Sequence, residues 1–461
     1  MPPSIGWTTR CVRLSRRRAA AAGILLFVVA CVTHPPRPAP PPTPVDTTPA
    51  PVRPDTMRPE PIEQAPPPSE NALQGGTIVR IALSAGAPHV TVSGSGEWRL
   101  YDSGGESALL RANAGDLWTI ESRDGALRAV HDDGSASPWR PAPFVARPVT
   151  RGALLSVNGR RYRGEIWVRP VTGGVMVINR LYLEDYLRGV VPLEIGKRAP
   201  GEEAAVAAQA VAARSYAYTH LLNSPTRPYD MLATVMDQVY GGADAETTIS
   251  DAAVMATSGL VLRYGGRIVN APYHSTCGGQ TAAASEVWRT DDEPYLVSVS
   301  DRIPGTDRYY CDIAPRFEWE RTFTRDLLRN DLDRYLATYA TVPRGGPGVP
   351  RQIEVEHLTP SGRVQSLVIT TDRGRYTLRA NDIRFVLRTA GGEILNSTYF
   401  SVRTERDGDG RVSRLEVQGH GYGHGVGMCQ WGAIGRARAG QDFRTILATY
   451  YPGTEVAPAS E

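Results

Sequence analysis

Leu183-Glu184-Asp185-Tyr186-Leu187-Arg188-Gly189-Val190-Val191-Pro192-Leu193-Glu194-Ile195 is the stretch on which the fold turns. Leu183, Tyr186, Leu187, Val190 and Val191 recur at the spacing of one helical face, so an amphipathic helix is predicted, stopped near its C-terminal end by Pro192. Upstream the pattern is different. Ile78 to Leu83, Val90 to Val92, Trp98 to Leu100, Leu117 to Ile120 and Tyr162 to Val168 alternate in polarity between Gly-rich turns. A small β-barrel or sandwich is expected there. Downstream, Glu202 to about Leu222 is rich in alanine and almost free of Gly and Pro, and acids in its first turn suit the helix dipole. So many small side chains imply a helix packed closely on all sides. Residues 252–270 read as strands, 324–339 as a helix, and 352–358, 364–371 and 398–403 as strands. Asp407-Gly408-Asp409-Gly410 reads as a hairpin turn, because the glutamate that closes a calcium loop is missing. The fold class is mixed α+β.

Composition narrows the function. The 461 residues carry 51 basic and 48 acidic side chains, and five of the arginines lie in residues 1–30. Without them 46 face 48, which excludes a strongly basic nucleic-acid-binding body. Lys197 is the one lysine, so Schiff-base and phosphate-loop lysine chemistry have a single candidate. Residues 1–30 read as an export signal: Arg10 to Arg18 supply the positive start, and an apolar run from Ala19 to Ala30 is too short to span a bilayer. Val28-Val29-Ala30-Cys31 resembles a bacterial lipobox, making Cys31 the lipidated residue; an ordinary secretory signal is the alternative. Residues 32–70 hold 15 of the 37 prolines and no aromatic residue, so 31–75 reads as an extended, disordered tether.

Three clusters hold candidate chemistry. Glu194 stands between Leu193 and Ile195 just past a helix end. Apolar surroundings and the negative helix terminus would raise its pKa toward that of a general acid; pairing with Lys197 or Arg198 is the plainer alternative. In Tyr273-His274-Ser275-Thr276-Cys277-Gly278-Gly279, a nucleophile reading lacks an acid to orient His274. Cys277 with Cys311 suits a disulfide, with free thiols or metal ligation as alternatives. Gly419 to Gly432 alternates glycine with His420, Tyr422, His424, Gln430 and Trp431, so that backbone can approach a flat ligand. Two histidines four apart suggest a metal, but no third ligand of fixed spacing accompanies them. A sugar-binding wall is the better reading.

Taken in order, LYLEDYLRGVVPLEI (181–195), AAQAVAARSYAY (207–218), DQVYGG (237–242), YHSTCGGQT (273–281), GHGYGHGVGMCQWGA (419–433) and ILATYYPGT (446–454) resemble the SpoIID/LytB family of peptidoglycan-acting proteins. The resemblance implies a lytic transglycosylase that cuts glycan strands already stripped of stem peptides by an amidase. It places the catalytic glutamate on Glu194. It sets Gln209, Arg214, Gln238, Tyr240, His274, Ser275, Gln430 and Trp431 near or along the groove; the glycine-histidine pattern itself adds His420 and His424 as substrate contacts. No cofactor is implied. Some clostridial relatives hold zinc with a cysteine directly before the QVY triplet, where this chain has Asp237, so no metal is expected there. A lysine frequent in the family is Ala207 here. The implied organisation is a signal peptide (1–30), a lipid-anchored linker (31–75), a β-rich leader (76–178) and a SpoIID-like domain (179–455) with an inserted α/β subdomain at 318–400. The expected location is the cell envelope. A non-catalytic enhancer of an amidase, and a structural lipoprotein, are the rival functions.

The lipobox reading is tested by metabolic labelling. The full chain is expected to incorporate a palmitate analogue and Cys31→Ser to lose it; an unlabelled mature protein that retains Cys31 would exclude the anchor.

Overall fold

A computed structural model describes residues 76–459 except 106, 224, 225 and 289. The expected signal, Cys31 and the tether lie outside the described residues. The described chain is mixed α+β, as its patterning predicts. Strands β1 (Ile78–Ala87), β2 (His89–Gly94), β3 (Trp98–Tyr101), β4 (Leu110–Ala112), β5 (Trp118–Arg123), β6 (Ala126–His131), β7 (Arg140–Pro141), β8 (Phe144–Pro148), β9 (Leu155–Val157), β10 (Arg160–Tyr162), β11 (Glu165–Val171) and β12 (Gly174–Tyr182) form two sheets. One runs β1-β12-β11-β8-β3-β4 and the other β10-β9-β2-β5-β6-β7. Strands β11 and β12 of the first sheet pack on β2, β5 and β6 of the second. Alternation along β1, β2, β6 and β12 turns Ile81, Val92, Leu127 and Val177 inward, so the leader is a sandwich. Met231–Leu232 adds to the edge of the first sheet, parallel to β1. Asp230 clamps it there by accepting from the Arg80 backbone N–H at 2.7 Å.

Strand β12 runs without a loop into helix α1, Leu183–Glu194. The helix does not stop at Pro192 but continues two residues to Glu194, and the Ile195 N–H still reaches the Val191 carbonyl at 3.1 Å. A proline so near the end forfeits one hydrogen bond while the last turn keeps the others. The chain then turns away at Gly196, whose φ of 77° is left-handed. Helix α2, Glu203–Asn223, is the centre of the main core. Ala205 to Ala213 are buried without interruption. Around α2 lie α1, strand Leu260–Tyr264, the helices Gln430–Arg438 and Phe443–Tyr450, and α3, Thr248–Ala256.

Helix α3 corrects the strand expected from residue 252. Thr247 and Ser250 form a reciprocal capping box that starts a helix, and strand begins only at Leu260. Residues 318–420 surround a second, separate core of which Phe323, Leu332, Leu367 and Val417 are members. Its helices include Arg325–Tyr335 and Asp382–Val386, and its strands include Pro350–Leu358, Val364–Thr371 and Phe400–Arg406. Strand Val412–His420 leaves this core and delivers the glycine-histidine string to the first. Among the described residues no helix is long and apolar enough to cross a membrane.

Helix α1 lies so close to residues 240–242 that a Cβ on Gly189 would sit 2.6 Å from the Tyr240 ring and 2.8 Å from the Gly242 carbonyl oxygen. Gly189→Ala is therefore expected to destabilise the protein by about 1–3 kcal/mol, as overpacking does, read as a lowered denaturant midpoint; an unchanged midpoint would mean that α1 can move away freely.

Candidate functional site

Glu194 is the last residue of α1. Its Oε1 accepts a hydrogen bond from the Val239 backbone N–H at 2.7 Å. The residue as a whole is half-buried, but its carboxyl end is enclosed by protein. Loss of hydration pushes its pKa up to about 7, against the smaller opposing effect of the Val239 bond. Neither Lys197 nor Arg198 pairs with it. Three phenols share its surroundings. Tyr186, Tyr216 and Tyr273 all have their pKa raised, first by burial and in part by the nearby Glu194 charge. They therefore remain protonated hydrogen-bond donors. Gln238 links two of them, taking the Tyr186 hydroxyl at 3.2 Å and donating to the Tyr273 oxygen at 3.0 Å. Asp237 accepts from the Leu232 N–H at 2.7 Å and from the Tyr216 hydroxyl at 3.4 Å.

The second and third clusters meet as a two-stranded parallel pair. Tyr273 stands opposite Met428 and His274 opposite Cys429. The Trp431 N–H donates to the Ser275 carbonyl at 3.0 Å. Gln430 donates to Gln209 on α2 at 3.1 Å. The Trp431 ring is half-exposed beneath the Arg198 guanidinium, 5.3 Å from its centre, and Arg198 is four residues beyond Glu194. Glu194, Gln238, Tyr273, Ser275, Gln430 and Trp431 are thus joined through a short series of contacts. A cavity of about 280 Å3 touches the same helix end, lined in part by Pro192, Ile195, Lys197, Arg198 and Thr248, but Glu194 does not line it.

Five expected contacts are engaged within the fold itself. Arg214 is fully buried and braces α2 against α1, α3 and the strand Leu260–Tyr264, bonding Glu184 at 2.8 and 2.7 Å, the Val254 carbonyl at 3.4 Å and the Leu260 carbonyl at 3.0 Å. Tyr240 is interior, its hydroxyl on Asn179 at 2.8 Å and its ring against Tyr162 and Tyr186. His274 is buried; its Nδ1 donates to the Val426 carbonyl at 3.1 Å, and desolvation, with Arg363 next, lowers its pKa to about 3. His424 donates from Nε2 to the Tyr273 carbonyl at 2.9 Å and accepts the Val426 N–H on Nδ1, so it too is neutral. His420 packs its ring against Tyr399 and Phe317.

The glycines of the string serve a partner other than the expected ligand. A Cβ on Gly421 would lie 2.6 Å from the Thr276 carbonyl oxygen, and one on Gly427 would lie 2.1 Å from that of Pro272. Their left-handed backbone lets the string lie against residues 272–277 of its own chain. Its amides are spent in the same way, Gly421 N–H on Phe317, Tyr422 N–H on Thr276 and Gly423 N–H on Asn396. The tyrosines around Glu194 escaped the sequence reading, since at helical spacing Tyr186 is indistinguishable from a core residue.

Residues 171–264 match the family described as Stage II sporulation protein, and 308–427 match a domain of unknown function (DUF8618). The second match contains every buried residue of the second core. The chain is 31% identical over 297 residues to Stage II sporulation protein D of Bacillus subtilis (strain 168), covering 61% of this chain and 76% of that protein. It therefore belongs to the SpoIID family. It is 30% identical over 397 residues to a B. subtilis protein named Amidase enhancer, covering 78% of this chain but half of that protein's length. It is 28% identical over 390 residues to an uncharacterized protein of Brachyspira hyodysenteriae, covering 84% and 94%.

The Glu194 environment predicts a pH effect on stability. A folded-state pKa of about 7 against an ordinary 4.5 favours the protonated native form. The contribution is complete below about pH 4.5 and is lost as pH rises through 7. Glu194→Gln is always neutral. It is expected to equal wild type near pH 4 and to exceed it by about 3 kcal/mol at pH 8, read from denaturant midpoints. Equal stability at both would put the carboxyl in water.

Proposed function

We propose that this protein is a peptidoglycan lytic transglycosylase acting on glycan strands already stripped of stem peptides. The observation that carries the reading is the Glu194 carboxyl, half-protonated near neutral pH, with Oε1 held by Val239 and Oε2 left to carry the proton. Hydrolases that activate water usually need two acids flanking the bond. Here Asp237 is occupied by Leu232 and Tyr216, and one carboxyl is sufficient if the attacking hydroxyl belongs to the sugar.

In this reaction the protonated Glu194 gives its proton to the glycosidic oxygen as the bond to the anomeric carbon breaks. The resulting carboxylate then takes the proton of the same sugar's 6-hydroxyl as that oxygen bonds to the anomeric carbon. Glu194 ends protonated again, no water is consumed, and the strand ends in a 1,6-anhydro sugar. Tyr273, whose hydroxyl accepts from Gln238, keeps its own proton to donate near the carboxyl, and Trp431 offers a half-exposed ring on which a sugar can stack. A cell-wall amidase acts upstream by exposing the bare strand. A lipid on Cys31 and the proline-rich tether would hold the domain in the cell envelope within reach of the wall.

The similarity to a protein named Amidase enhancer favours a second reading, in which the chain binds the wall and stimulates an amidase without cutting glycan. Mass spectrometry of denuded glycan digested by the purified protein separates the two. Wild type is expected to leave anhydro ends, with kcat/KM falling above pH 7 as the acid ionises. Glu194→Gln is expected to lose at least a hundredfold in rate while still sedimenting with the glycan. Absence of anhydro ends with wild type, beside retained binding, would support the enhancer reading.

A further inference from the structure

Behind the site wall, three cysteines far apart in sequence meet. Cys277, Cys311 and Cys429 are each fully buried, and the Asp301 carboxylate joins them, also fully buried. The four candidate ligand atoms lie within 4.8 Å of one another. Among the described residues no other group of three or more His, Cys, Asp and Glu side chains converges in this way. We propose that Cys277, Cys311, Cys429 and Asp301 form a structural site for a divalent cation of the zinc class. The proposal is independent of any activity toward glycan.

Spacing supports it. The Cys277 and Cys311 sulfurs are 3.4 Å apart, and Asp301 Oδ2 is 3.9 Å from the Cys277 sulfur. Tetrahedral zinc with Zn–S near 2.3 Å sets its sulfurs roughly 3.8 Å apart, so small side-chain adjustments close the shell. The surroundings are those that ligands require. The Cys429 sulfur accepts the Cys277 N–H at 3.2 Å and the Gly432 N–H at 3.3 Å, the latter from the first turn of helix Gln430–Arg438. Asp301 turns its other oxygen, Oδ1, to the Tyr450 hydroxyl at 2.7 Å and to Arg436 at 3.0 Å, which leaves Oδ2 aimed at the sulfurs.

Charge points the same way. Arg436 and the fully buried Arg363 flank the cluster, the latter donating to the Cys277 carbonyl at 3.0 Å. Three thiolates and a carboxylate with a divalent ion carry a net charge of minus two, which these two guanidiniums neutralise. A Cys277–Cys311 disulfide would use two sulfurs and leave Cys429, which accepts two N–H groups, and Asp301 Oδ2 without a partner of matching chemistry. Four protein ligands make a closed, structural shell. The ion would bind the loop around 301–311 to the two strands whose next residues are Ser275 and Gln430.

The test is metal content. Full-length protein extracted in detergent and purified without chelator is expected to hold about one zinc per chain by mass spectrometry. Without reductant, denaturation with chelator should free all three thiols to alkylation at 277, 311 and 429 in a peptide map. Cobalt(II) added to the stripped protein is expected to bind with sulfur-to-metal charge-transfer absorption and intense tetrahedral visible bands. Cys311→Ser should weaken metal binding at least tenfold; if that variant does not fold, wild-type content and the cobalt spectrum decide alone. Less than about a tenth of a metal per chain overturns the site, with the thiols free or with a mapped Cys277–Cys311 disulfide. None of these readouts involves glycan, so their failure leaves the transglycosylase reading to its own assay.

Discussion

The Val239 N–H holding the Glu194 carboxyl at 2.7 Å in a desolvated corner is the contact on which the site is organised. Burial raises the cost of ionising this acid. One backbone donor returns part of the lost hydration and brings the group to about 7, where both protonation states are accessible. The contact exists because α1 grows directly out of β12, so the sandwich aims the helix, and because Gly189 lets that helix lie against residues 240–242. Residues 238 and 239 are thereby carried past the helix end. Scaffold and acid are continuous parts of one chain segment.

The alanine-rich helix α2 has the same kind of role on a larger scale. Small side chains admit neighbours on every side, and the polar residues it does bury are each spent on one of them: Arg214 on α1 and α3, Gln209 on Gln430. Such a helix positions others and touches little itself. Residues quoted from it as site contacts are better understood as the pins that hold the wall in place.

The glycine-histidine string spends its close approach on the protein's own backbone. Alternating glycines do signal close backbone approach, but the body approached is the chain's own segment 272–277. Of its histidines, His424 has both ring nitrogens engaged by backbone, and His420 packs its ring against Tyr399 and Phe317. The cysteine cluster is the opposite case. Separations of 34 residues between Cys277 and Cys311, and far more to Cys429, match no ligand spacing, and Asp301 carries no signal at all.

Much was legible from residues alone. Alternation at period two predicted a β-barrel or sandwich, the apolar stripe of Leu183 to Val191 located the helix, and an acid between two large aliphatic side chains made Glu194 a candidate. These are local properties, set by backbone geometry and by which neighbours lie within a few residues. Element ends were less legible: a capping box at Thr247 starts a helix where strand was expected, and helix α1 runs past Pro192 to Glu194. Which side chains meet was decided only when distant segments packed. Tyr273 reaches Gln238, Trp431 reaches Ser275, and three thiols share one point because the strand pair 273–274 and 428–429 closes across more than 150 residues. Contacts of that range depend on the burial of two cores at once, and no short-range pattern encodes them.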